Sequence, residues 1–105
     1  DKDAFVSVSG ASKKDYIERK ISNELEGIMD GRKATLIVEE GKTIPLHNDE
    51  VAGEYSNQVI APIVAEGDAI GAVMILSKTP GEKFGELELK LAETAAAFLG
   101  KQMEQ

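Results

Sequence analysis

Two long apolar runs dominate the second half of the chain. Residues 55–65 and 69–77 are joined by Glu66-Gly67-Asp68, an arrangement that predicts a β-hairpin. Neither run alternates: Val59-Ile60-Ala61-Pro62-Ile63-Val64 and Ile70-Gly71-Ala72-Val73-Met74-Ile75-Leu76 are nearly continuous, so both faces of the sheet must be covered. Gly71, alone among large residues, points to a close approach of something to the strand backbone.

The first half is less uniform. Residues 4–9 are strand formers, with Phe5, Ser7 and Ser9 on one face, Val6 and Val8 on the other, and Gly10 as the stop. Behind a loose Ser12 cap, Tyr16, Ile17, Ile21, Leu25, Ile28 and Met29 recur at helical spacing, which predicts a helix to Gly31 with a break near Ser22. Residues 35–38 form a short β-branched run, Gly41-Lys42 marks a turn, and residues 43–46 read as a returning strand that Pro45 demotes to an edge.

After the Thr79-Pro80-Gly81 break, residues 84–103 read as a helix. Leu87, Leu91, Ala95, Phe98 and Gln102 fall on one stripe, with Ala92, Ala96, Leu99 and Met103 beside it, an apolar arc of roughly 220° at helical pitch. That exceeds what one sheet covers. The expectation is a sheet contact along one stripe and a partner helix along the small-residue stripe, giving a symmetric dimer with Leu89, Ala92, Ala96, Leu99 and Met103 in the interface.

Composition narrows the function. At 105 residues, 42% hydrophobic and 30% charged, the chain suits one soluble domain with one core. No apolar run approaches the ~20 residues of a membrane span and no signal-peptide pattern opens the chain, so a cytoplasmic location is the default. With no cysteine, thiol nucleophiles, redox switching, thiolate zinc sites and a sulfur-linked chromophore are excluded. A net charge of -7 without a basic stripe argues against direct contact with DNA phosphates. The start at Asp1-Lys2-Asp3, without an initiator methionine, suggests a fragment of a longer protein.

Candidate chemistry is sparse. His47 precedes Asn48-Asp49-Glu50, but the spacing matches no ligand frame, which leaves a solvated acidic loop and no metal site. No Ser/His/Asp set and no phosphate-cradling glycine loop can be assembled, and catalysis is not expected. Lys13, Lys14, Arg19, Lys20, Arg32 and Lys33 hold half of the 12 basic residues, read as solvated helix faces before an anion site. Ser7 and Ser9 either offer hydroxyls to a small molecule or face water. Tyr55, Ser56, Asn57 and Gln58 make a polar opening to an apolar strand, either a ligand-orienting mouth or simple fraying. With strand phase added, the candidate ligand set is Ser7, Ser9, Tyr55, Asn57, Val59 and Gly71.

The order of residues also carries a resemblance. Val8-Ser9-Gly10-Ala11-Ser12-Lys13-Lys14-Asp15-Tyr16, Ala61-Pro62-Ile63-Val64-Ala65, Ile70-Gly71-Ala72-Val73 and Ala92-Glu93-Thr94-Ala95-Ala96 together resemble the C-terminal GAF domain of AbrB-type sporulation transcription regulators. The resemblance covers essentially the whole chain and is loosest over residues 32–54. It implies an α/β (α+β) GAF-like fold, a central antiparallel sheet with helices on both faces, here lacking the family's first helix and first strand, so that residues 4–9 lie second in the sheet and an edge is open. It also implies that residues 1–105 form a regulatory domain acting on forespore genes in the cytoplasm of a spore-forming bacterium. DNA would be reached only through a separate N-terminal domain. The partners expected are further copies of the chain, as dimer or tetramer through the C-terminal helix, and an unidentified small ligand, with no cofactor and no membrane. The alternative is a ligand-free assembly domain whose pocket is filled by its own side chains.

Overall fold

The computed structural model describes residues 7–9, 21–39, 41–46 and 52–104, and for 7–9 the backbone. Along the chain run β1 (Ser7–Ser9), α1 (Asn23–Gly31), β2 (Thr35–Ile37), β3 (Asn57–Ala65), β4 (Asp68–Ser77) and α2 (Glu86–Gln102). The sheet order is β1-β4-β3-β2. β2, β3 and β4 are antiparallel, as the apolar pattern implies, whereas β1 joins the edge of β4 in parallel, with Ser7 opposite Val73 and Ser9 opposite Ile75. A parallel neighbour needs a crossover, not a hairpin; β1 and β2, consecutive among the described strands, lie at opposite edges with β4 and β3 between them.

The hairpin closes through Glu66 and Gly67, both at positive φ (53° and 86°), the conformation that matches the twist of a two-residue turn. Ile63 faces Gly71 and Val64 faces Ala69, which leaves Ile70 as an extra residue in β4. Gly71 stands next to this bulge. The bulge also reassigns faces: Ile70 packs with Val59, Ala61, Ile63 and Val73 on one side of the sheet, while Ala69 joins Ile60, Ala72, Met74 and Leu76 on the other. Both faces are covered, by α2 and by α1 respectively.

Within the helical pattern of residues 12–30, α1 begins after Ser22; residues 10–20 lie outside the described part. Ser22 is buried and triply engaged. Its Oγ accepts from Leu25 N at 3.0 Å and donates to Pro45 O at 2.5 Å, and its N–H donates to Leu46 O at 3.0 Å. It is thus an N-cap that also anchors the segment around residue 45. At the other end Arg32 takes the left-handed conformation (φ 58°) and its N–H returns to Met29 O.

Residues 43–46 do not form the expected strand. They cross the α1 face as an extended segment, with Thr43, Pro45 and Leu46 buried. Pro45 has no N–H to give to a ladder, and the pairing is supplied by a side chain. The fully buried Gln58 amide accepts from Ile44 N at 2.9 Å and donates to Ile44 O at 2.7 Å, reproducing a strand-like bridge. Thr43 Oγ1 donates to Tyr55 O at 2.7 Å and Thr43 O accepts from Gly53 N at 2.8 Å. With these bonds made, no buried side-chain polar atom among the described residues lacks a partner.

α2 lies on the other face with its stripes exchanged relative to expectation. Ala92 and Ala96 are 1% and 4% exposed and pack on Val59, Ala61 and Ile63, with Leu89, Ala95 and Leu99 partly buried alongside. Gly100 continues the small-residue line, and a Cβ there would overlap the backbone carbonyl of Val64. Ala92, Ala96 and Gly100 recur every four residues, so the helix backbone sits close on β3. The large residues point outward instead: Leu87, Leu91 and Phe98 are 68%, 56% and 62% exposed.

Candidate functional site

Two parts of the molecule offer function: a cleft at one end of the sheet, and the outer face of α2. The cleft lies where β3 begins and β4 ends. Its walls are Val38 beyond β2, Gly41 and Gly53 from two turns, residues 54–56, and Lys78 with the loop 80–83, enclosing about 460 Å3. Gly41, Gly53 and Gly81 all have φ near +80° (80°, 82° and 86°), so three tight turns form the rim. A second, more open groove of about 500 Å3 lies between α2 and the β2 side of the sheet, bordered by Arg32, Lys33, Pro62, Val64, Glu93 and Ala97. Arg32 there is already committed, donating to Gly67 O and Asp30 O at 2.7 Å and lying 3.8 Å from Asp68.

Inside the cleft the charges are arranged unevenly. Lys78 Nζ donates to Glu54 at 3.0 Å and lies 5.3 Å from the centre of the Tyr55 ring, a cation–π distance. Glu82 accepts from the Ser77 hydroxyl in a very short hydrogen bond. Lys83 reaches across to the Val38 carbonyl at 3.2 Å.

The loop that carries Glu82 and Lys83 is moored from below by Asn57. Fully buried at the start of β3, Asn57 donates through Nδ2 to Glu82 O at 2.7 Å and to Ser56 Oγ at 3.0 Å, and accepts at Oδ1 from Phe84 N at 2.9 Å. Both amide hydrogens are used. Ser77 Oγ accepts from Thr79 N at 3.0 Å in the same loop. Two residues beyond Phe84 α2 begins, its N-terminal Gly85 N–H held by the Glu88 carboxylate at 2.7 Å. The cleft loop and the start of α2 are therefore one continuous, hydrogen-bonded piece.

The six candidate ligand residues scatter. Tyr55 is buried at the cleft wall; Asn57 lies behind the loop as its mooring. Val59 is in the core under α2, and Gly71 sits beside the bulge near the opposite end of the sheet. Ser7 and Ser9 are placed by backbone only, in β1. His47 and the acidic run after it, with Lys13, Lys14, Arg19 and Lys20, lie outside the described residues. Among the described residues no group of three or more His, Asp or Glu could hold a metal ion. Of the five expected interface residues, Ala92 and Ala96 are buried within the chain, Leu89 and Leu99 are half-covered by the sheet, and Met103, past the helix end, is exposed. The small-residue stripe is therefore corrected to a sheet contact: small side chains are what allow the backbones to approach. Lys78, Lys83 and Glu82 were not foreseen; the Thr79-Pro80-Gly81 break identifies a loop but not what it faces.

The described residues form a mixed α/β domain with a sheet covered on both faces, two small clefts and an exposed apolar helix face. Comparison with known proteins specifies its kind. The model of the family described as "Stage V sporulation protein T C-terminal, transcription factor" matches residues 1–104. The chain is 48% identical over 107 residues to stage V sporulation protein T of Bacillus subtilis (strain 168), covering 100% of this chain and 57% of that relative. The chain therefore belongs to the stage V sporulation protein T C-terminal family, a family of sporulation transcription factors, and spans little more than half the length of the curated relative it matches. Among the described residues no helix is long and apolar enough to cross a membrane.

Proposed function

We propose that the chain is a GAF-type regulatory module that assembles a sporulation transcription factor by pairing copies through the outer face of α2. Leu87, Leu91 and Phe98, large and more than half exposed on one helix face, carry this reading. A two-fold interface uses the same patch on both copies, and a helix stripe can meet its own copy. Burying each such side chain contributes about 1.5–3 kcal/mol, against an association cost of about 4–15 kcal/mol. Pairing of this chain alone is accordingly concentration-dependent, and further chain in the whole protein strengthens it. The module itself carries net charge -7 and leaves DNA to a separate domain. The assembled regulator acts in the forespore cytoplasm, and the module performs no catalysis. Sedimentation equilibrium of the wild-type chain tests the reading: a mass that rises with concentration towards the dimer is expected, and a monomer throughout overturns it.

The cleft favours a second role for the same module, as a small-ligand sensor. Its loop 80–83 leads into α2, so a molecule that binds there acts on the element that pairs. A thermal-shift screen against metabolites reads this directly, since a ligand at 100 times its Kd adds about 2.7 kcal/mol of stability. The α1 side bears on the assembly-only alternative: Leu25, Leu46, Ile60 and Met74 fill it with fully buried side chains.

A further inference from the structure

Resting on the reading that copies pair through the outer face of α2, we infer that this face is covered by the α2 of a second copy running antiparallel to the first, its last turn against its partner's first turn. The exposed residues Leu87, Leu91, Thr94, Phe98 and Lys101 follow one another at spacings of four, three, four and three, the seam along which two helices mesh. That seam is apolar at Leu87, Leu91 and Phe98 and ends in a cation at Lys101. A parallel two-fold pair sets every seam residue against itself, so Lys101 meets Lys101 of the partner subunit, and the helix dipoles lie side by side in the same sense. An antiparallel pair centred between Leu91 and Thr94 instead sets Leu87 opposite the partner's Phe98 and Leu91 opposite the partner's Thr94. The outer layers are then large and apolar, and Lys101 arrives at the partner's first turn.

The charges of the helix favour the same direction. Three of the charged side chains of α2 are engaged within their own copy: Glu88 accepts from the Gly85 N–H at 2.7 Å, and Lys90 lies 3.7 Å from Glu93. The remaining two, Glu86 in the first turn and Lys101 in the last, are exposed and have no ion pair of their own. They are of opposite sign and stand at opposite ends of the helix, and the loop before Glu86 adds one charge of each sign through Glu82 and Lys83. Antiparallel pairing brings Glu86 and the partner's Lys101 to the same end, twice by symmetry, whereas parallel pairing brings like charges together at both ends. Exposed pairs of this kind contribute little to affinity, so the apolar residues hold the copies together and the charges choose the direction. The two clefts then lie at opposite ends of the pair.

The chain has no cysteine, so Gln102→Cys carries a single nitroxide spin label at the end of α2 without touching either charge. The test mixes this labelled, unenriched variant with 15N-labelled wild type at a concentration where sedimentation shows the dimer, and reads which wild-type amides are broadened across the interface. Broadening centred on residues 85–88 is expected. Broadening centred on residues 100–103 overturns the antiparallel direction while leaving the pairing intact, and a dimer with no broadening along α2 overturns the second copy as occupant of this face. A chain that remains monomeric overturns the pairing reading itself. The charges are tested by reversal: Lys101→Glu and Glu86→Lys are each expected to weaken the dimer about fivefold, and Glu86→Lys/Lys101→Glu to restore it to within about twofold of wild type. Single reversals without effect, or a double variant that is not restored, overturn the role of this pair in setting the direction.

Discussion

The two faces of α2 carry similar apolar content and do opposite things. On the sheet side, Ala92, Ala96 and Gly100 let the helix lie so close on β3 that no side chain fits at Gly100. On the outer side, Leu87, Leu91 and Phe98 stand in solvent. The difference shows that size, and not hydrophobicity alone, decides which side of a helix a sheet accepts: close packing rewards small residues whose neighbours fill the space. Large residues are then left on the face that no described residue covers, the face through which we propose that copies pair.

The contrast can be broken from either side. Ala92→Glu places a charge in the dry layer between helix and sheet, with no partner, and is expected to cost several kcal/mol and to unfold the chain, read as loss of the far-UV helical signal. Asn57→Ala leaves Phe84 N and Glu82 O without their buried partner and should cost about 1–3 kcal/mol in urea melts, with faster amide exchange concentrated at the first turn of α2. Gly100→Ala gains about 1 kcal/mol of helix propensity but drives its Cβ into the Val64 backbone carbonyl, an overpacking cost of about 3 kcal/mol, so a net destabilisation of about 2 kcal/mol is expected in urea melts. Phe98→Glu, on the outer face, should change the stability of the monomer by no more than about 0.5 kcal/mol while abolishing association.

Much of the fold was legible because strong local patterns coincide with what tertiary packing requires. The unbroken apolar runs of β3 and β4 announced a sheet covered on both sides, and both helices cover it. Gly71 pointed to a close approach to the strand backbone; what adjoins it is the bulge at Ile70. Other features depended on contacts that no local pattern encodes. Residues 43–46 have strand composition, yet their pairing comes from Gln58, distant in sequence. The helical wheel of α2 showed a wide apolar arc but not which part faced the sheet. The recurrence of Ala92, Ala96 and Gly100 at four-residue spacing was the available signal, since a glycine in a helix interior carries a cost that close approach explains. The cleft was the least legible part. Its walls come from four separate segments, and the candidate ligand residues followed strand phase, which says nothing about where loops converge.

That α2 divides its faces between folding and association is tested most directly by measuring Leu91→Glu/Phe98→Glu by sedimentation equilibrium and by urea denaturation on the same samples. The expected result is a wild-type chain that dimerises with concentration and a double variant that stays monomeric, with a denaturation midpoint close to that of dilute, monomeric wild type. A double variant that still dimerises, or one whose monomer is destabilised as severely as Ala92→Glu, would contradict the division.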